Sequence, residues 1–268
     1  MWSAAAAVTA AFGWIVMDLL IGGLGSIDWT FLTAPVADAG RAGGIGPVLI
    51  STGWIVAISV IVAGPLGLGT AMFLSEWTRR GDRFGGAVRR SLEVLAGVPS
   101  IVFGLFGNAL FCKALGMGFS ILAGGLTLAC MALPLVIRAT EEGFAAVPEP
   151  YRMGAAALGM SRTSTLFGLL LPAAAPGFAV GLVLGIGRAL AETAALIFTS
   201  GSVARMPGSL LDSGRSLSVH IFDLSMNVPG GTDNAYGAAL TLIALLLLVN
   251  AAAHWMTARW LGRGIVTT

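Results

Sequence analysis

Apolar runs of about 20 residues, separated by short polar segments, recur along the whole chain. At 1.5 Å of rise per residue, a helix of that length crosses the roughly 30 Å of hydrocarbon in a bilayer. The runs fall at about residues 4–24, 48–74, 92–115, 117–137, 176–199 and 236–261. None has the ten-residue alternation of a barrel strand, and only helices and closed barrels satisfy their backbone in lipid. The pattern therefore predicts an all-α integral membrane protein with six transmembrane helices.

The fifth run carries charge where charge is expensive. Between Pro172 and Thr199, with Pro176 marking the start and Ser200-Gly201 the stop, the pattern predicts one spanning helix with Arg188 about halfway along and Glu192 one turn later. A guanidinium at that depth costs on the order of 2.5–3.5 kcal/mol unless it faces water or a partner. At 100° per residue Gly177, Gly181, Gly185, Arg188, Glu192 and Thr199 share one face. That face is either a packing seam with an internal Arg188–Glu192 pair, or the path of an anionic solute, since arginine suits an oxyanion.

Between the runs, residues 25–47 and 200–235 are rich in Gly, Pro and polar residues and read as extramembrane loops. Residues 78–90 read as a basic solvated loop, and the Pro99 region as a kink inside the third span. Residues 138–171 are too polar to span and read as helix, break at Gly159, helix, then Pro172. Ten basic residues lie on one side (Arg79, Arg80, Arg83, Arg89, Arg90, Arg138, Arg152, Arg162, Arg259, Arg263) and four on the other (Arg41, Lys113, Arg205, Arg215). The positive-inside rule then predicts cytoplasmic termini and a cytoplasmic 138–171 loop. The first run starts beside Met1 without a basic leader or a cleavage site, so a retained helix is expected.

Composition agrees with this reading. With 56% hydrophobic and 10% charged residues and a mean hydropathy of +0.89, the chain is far more apolar than soluble domains, where charged residues reach about 25%. The net charge of +2 says little about partners, since only the placement of the charges carries information. Cys112 and Cys130 lie in apolar runs and read as small hydrophobes, and His220 and His254 are too far apart to suggest a metal site. No GxxxxGK[ST] loop occurs, so energy from ATP has to come through another chain. Glu141 and Glu142 read as a solvated face, with contact to an ATPase as the alternative; Arg205, Arg215 and His220 read as an ordinary exterior loop, with reception of a binding protein or attraction of the anion as the alternative.

The run VPEPYRMGAAALGMSRTSTLFGLLLPAAAPG resembles the EAA loop of ABC-importer permeases, with Ala155, Gly159, Leu171 and Pro172 on the pattern. Met153 stands where that family has its glutamate, and Gly154 where it has the first alanine. The runs LEVLAGVPSIVFGLFG, IRATEEGFAAVP and GIGRALAETAALIFTSG narrow the likeness to PstA-type phosphate permeases, over about residues 43–260. The resemblance implies a type I ABC-importer permease domain over 1–268, with a first helix and periplasmic loop (1–42), a core (43–262) and a coupling loop (138–171). It implies a multi-pass protein of the bacterial inner membrane and a non-catalytic subunit without its own cofactor, ATP and Mg2+ being held by the ATPase. The implied partners are a PstC-like permease, two PstB-like ATPases, a PstS-like periplasmic binding protein and phosphate. Arg188, Glu192 and Thr193 match the family's membrane-embedded polar motif, while Arg152, Met153, Gly154, Ala155, Leu158, Gly159, Ser161 and Pro172 form the ATPase-coupling stretch. Two alternatives stay open: a permease for sulfate or molybdate, and an ion-coupled transporter or channel acting alone, which usually shows an inverted repeat.

Overall fold

The structure is a computed structural model that describes residues 2–78 and 82–261. Arg79 and Arg80 of the basic run, and Arg263, lie outside the described residues. The main helices are α1 (Trp2–Gly23), α2 (Trp29–Thr33), α3 (Gly46–Glu76), α4 (Arg83–Ala96), α5 (Ser100–Gly107, extended by π-helical turns over Asn108–Ala114) and α6 (Ile121–Ala145). They continue with α7 (Glu149–Ala157), α8 (Arg162–Thr165), α9 (Leu171–Ala191), α10 (Ala194–Ile197), α11 (Leu217–Met226) and α12 (Thr232–Leu261). A two-stranded antiparallel hairpin, Val36–Ala37 with Ala42–Gly43, sits in the first long loop. Among the described residues five helical stretches are long and apolar enough to cross a membrane: 2–26, 46–76, 121–145, 162–191 and 232–255; the bent pair Arg83–Ala96 and Ser100–Ala114 brings the number to six when counted as one broken span.

Three expected boundaries move. The third span is not a kinked helix from 92: α4 and the α5 stretch meet at 103°, because Pro99 cannot donate a backbone hydrogen bond and Gly97 ends α4. Residues 83–96 are thus a helix rather than a basic loop, with the Asp82 carboxylate accepting the Gly85 N–H at 3.0 Å. In α6 the helix runs on to Ala145, so Arg138, Glu141 and Glu142 occupy its last turns. The fifth span is continuous from Arg162, through π-helical turns at Leu166–Leu170, to Ala191, and so begins before Pro172 and ends before Thr199. The wider π turns just ahead of Pro172 offer a place to absorb its missing N–H without a break.

The chain divides into two compact units. One comprises the chain up to Ile55, Gly104–Gly125 and Leu190–Leu247. Its core gathers Phe31, Ile45, Val48, Leu217 and Ala238. The free N–H groups at the start of α6 are met by the loop after α10: Ile121 donates to the Asp212 carbonyl at 2.9 Å and Leu122 to that of Leu210 at 2.9 Å, while the Ala123 N–H goes to Ser120 Oγ at 3.1 Å. Helix α1 is mostly exposed, with Gly23 buried and Val16, Leu19 and Leu20 half-buried, and Tyr236 of α12 donates to Asp18 at 2.9 Å.

The other unit comprises Val56–Phe103, Leu126–Ala189 and α12 from Leu248. Ala71, Leu74, Leu92 and Ile137 form one core, and Phe144, Val147, Leu166, Leu170 and Ala174 another beneath the 138–171 region. Helices α6 and α9 meet backbone to backbone: a Cβ on Gly177 would stand 2.6 Å from Gly143 Cα and 2.7 Å from the Ala139 carbonyl. Without a side chain at either position the two helices come as close as membrane helices do.

Candidate functional site

The glycine stripe of α9 separates from the charges it was grouped with. Gly177 and Gly181 face Gly143, Ala139 and Val136 of α6, whereas Arg188, in the last turn of α9, is exposed. Among the described residues no carboxylate lies within ion-pair distance of its guanidinium.

Beyond Ala191 the helix breaks, and Glu192 and Thr193 lie in the break before α10. Glu192 is 9% exposed. Its carboxylate accepts the Ala195 N–H at 3.1 Å, so the side chain caps α10, and its carbonyl accepts the Ser218 hydroxyl. Thr193 is half-buried. The internal i,i+4 pair that a continuous helix implies is thus replaced by a helix end. The motif sets an exposed guanidinium at the close of α9 and a buried, hydrogen-bonded carboxylate at the start of the next element.

Around Glu192 its own unit is rich in hydroxyls. Ser216 caps α11 by accepting the Val219 N–H and meets Ser218 at 3.0 Å, and Thr52 Oγ1 accepts the Leu217 N–H at 2.8 Å. Further along, Arg215 donates to the Ser202 carbonyl at 2.7 Å and pairs with Asp223 at 3.1 Å, beside the buried His220 ring at 3.3 Å. Burial first, then the neighbouring Arg215, lower the His220 pKa to about 4, against the pull of Asp223. Burial also lowers that of Arg215. A cleft of about 620 Å³ opens there, lined by Pro35, Val36, Val203, Arg205, Met206 and Arg215 among others. Arg215 and His220 are thus packed into this loop region, while Arg205 is exposed.

The second candidate lies in the other unit. Helix α7 begins with Pro150 in its first turn and ends in a left-handed turn at Gly159, φ +69°. The Met160 N–H returns to the Ala155 carbonyl and the Gly159 N–H to that of Ala156, both at 3.0 Å, which closes the helix in a Schellman motif. Ser161 then caps α8 by accepting the Ser164 N–H at 3.1 Å. Ala155 is buried; Met153 (59%) and Leu158 (81%) are exposed, as are Gly154, Gly159, Ser161 and Pro172.

Arg152 points inward. It donates to Glu76 Oε1 at 2.9 Å and to the Val147 and Phe144 carbonyls, each at 3.1 Å. Beside it Arg89 donates to Glu141 at 3.0 Å and to the Leu74 carbonyl at 2.7 Å, so Glu141 is paired, whereas Glu142 is exposed. Sequence reasoning counted Arg89 only in the basic run and read Glu141 as a solvated face, and it gave Glu76 no role. Their partners lie 76 and 52 positions away, beyond any local spacing rule.

The elements that carry these residues define a membrane permease subunit. The chain belongs to the family described as binding-protein-dependent transport system inner membrane component, whose profile matches residues 63–265. It is 30% identical over 267 residues to a probable ABC transporter permease, YqgI, of Bacillus subtilis, covering 94% of this chain and 90% of the relative. It is 32% identical to the phosphate transport system permease protein PstA 2 of Mycobacterium bovis (92% and 82% covered) and 34% identical to PstA 1 of Mycobacterium tuberculosis (84% and 73%). Its fold is that of a bacterial alginate ABC transporter chain, with TM-score 0.67 at 14% identity, covering 98% of this chain and 96% of that one. The MetNI methionine ABC transporter gives TM-score 0.62 at 16% identity, with 80% and 96% covered. The type I importer-permease fold expected from the EAA-like run is therefore the fold observed.

Proposed function

We propose that this chain is the transmembrane permease subunit of an ATP-driven inorganic phosphate importer, forming half of the translocation pathway. The observation that carries this reading is identity of 32–34% with phosphate permeases over more than four-fifths of the chain. A PstC-like permease supplies the other half, two PstB-like ATPases drive the cycle, and a PstS-like binding protein delivers phosphate. Both termini and the α7–α8 turn face the cytoplasm, in a bacterial inner membrane. The exposed Met153 and Leu158, and the rigid Gly159 turn, support docking of the ATPase against α7. Because α8 runs into α9 as one helix of 30 residues, a push on the turn passes along the element that carries Arg188.

At the far end of that element Arg188 offers charge and a fork of donors to a phosphate that cannot cross hydrocarbon unassisted. Glu192, held by its cap to Ala195, places a fixed negative charge in the next element, which keeps the anion from binding too firmly. The test is reconstitution of the chain with its candidate partners, comparing ATP-dependent uptake of labelled phosphate, sulfate and molybdate. Phosphate uptake well above the other two is expected; preferential uptake of another oxyanion, or uptake without the ATPase, overturns the reading.

A further inference from the structure

We infer that Arg152 is a positioning residue, with Glu76 as its charged anchor, that ties α7 to the ends of α3 and α6 so that the three elements move together. The inference rests on the reading of α7 as the ATPase-coupling helix. At nine residues α7 is too short to be stable alone, and Ala155 is its buried side chain. Apolar packing therefore leaves its orientation weakly held, and a polar tie has to supply the rest.

The Arg152 fork supplies it. One nitrogen serves both Glu76, the last residue of α3, and the carbonyl of Phe144 in the last turn of α6; the other serves the Val147 carbonyl in the link to α7. The side chains of Arg152 and Glu76 are 24% and 19% exposed, so the pair is partly withdrawn from water. Glu149, 71% exposed and 3.7 Å away, is a looser partner. Arg89 and Glu141 make a parallel tie, joining α4 and α6 and reaching the Leu74 carbonyl of α3. Arg152, Arg89 and Glu141 line one groove of about 920 Å³, whose walls include the ends of α3 and α6 and the start of α7. Only a planar guanidinium reaches three such acceptors at once; an ammonium keeps the charge and loses the geometry.

The test uses the reconstituted complex with R152K, E76Q and the double variant, reading solute carried per ATP hydrolysed for whichever oxyanion the wild type transports. A fall of about fivefold or more is expected in each single variant, with the ATPase still co-purifying and the double no worse than the singles, since one tie can be cut only once. An unchanged ratio, or additive losses in the double, overturns the inference. So does loss of ATPase co-purification in R152K but not in E76Q, which makes Arg152 a docking residue. Amide exchange over residues 149–158 of the purified full-length chain gives a readout that does not depend on the transport reading. Faster exchange in E76Q than in wild type is expected, and equal rates overturn the tie even where no uptake is measured.

Discussion

At the scale of single residues the proposed pathway joins an arginine that is exposed with a glutamate that is bonded. Arg188→Ala in an assembled complex is expected to abolish ATP-driven phosphate uptake, whereas Glu192→Gln, which keeps an oxygen for the Ala195 N–H, changes uptake without stopping assembly. Uptake of labelled phosphate into proteoliposomes measures both, and wild-type uptake by Arg188→Ala removes the arginine from the pathway. Gly159 is a second residue-scale device. An alanine there finds open space but has to adopt φ near +69°, at a strain of about 1–2 kcal/mol. Gly159→Ala is expected to lower the melting temperature and transport together, and an unchanged melting temperature counts against the turn as the reason for glycine. The motif at 188–193 was legible in the sequence because charge inside an apolar run stands out. The cap to Ala195 and the bond from Ser218 were not, because they depend on where the helix stops.

At the scale of elements, α9 packs by absence of side chain. Gly177→Val puts a branched side chain where a single carbon already falls 2.6 Å from the α6 backbone, so α6 and α9 have to part. A destabilisation of about 1–3 kcal/mol, the usual range for overpacking, is expected in thermal unfolding. A stability equal to wild type would mean that the helices separate at no penalty. The glycine spacing suggested such a seam, but a spacing alone does not say whether the facing helix belongs to this chain or another. The position of α4 shows the opposite limit: Pro99 was read as a kink inside one span, whereas in the structure two helices meet there at 103°. A proline removes one hydrogen bond and leaves the resulting angle to the packing of Leu92 against Ala71, Leu74 and Ile137.

At the scale of the whole molecule the proposed topology places α7 and the 200–231 loop on opposite sides of the membrane. Leu158→Cys is expected to resist a membrane-impermeant thiol reagent in intact cells, and Met206→Cys, 54% exposed in the native residue, to react. The reverse pattern inverts the topology. The loop also carries a pH dependence. His220 titrates near 4 in the folded protein and near 6.5 unfolded, so the unfolded chain takes up its proton first as pH falls. Stability is therefore complete above about pH 6.5 and declines toward pH 4, by at most about 1.4 kcal/mol per unit. Melting curves of wild type and His220→Gln from pH 7 to 4.5 check this: the variant is expected to show the shallower slope, and equal slopes discard the histidine.

Taken alone, the order of residues determined the class of fold, the approximate places of five apolar spans, the EAA-like pattern through Gly159, and the charged motif at Arg188 and Glu192. These are local matters: hydropathy over twenty residues, a left-handed glycine, one charge among apolar neighbours. Only the tertiary structure decided that Arg152 and Arg89 turn inward to Glu76 and Glu141, that the α9 glycines meet α6, and that Glu192 closes a helix end. Those facts join positions 34 to 76 residues apart or depend on where one hydrogen bond goes. No periodicity along the chain encodes them; burial and the need to satisfy every withdrawn charge and backbone group do.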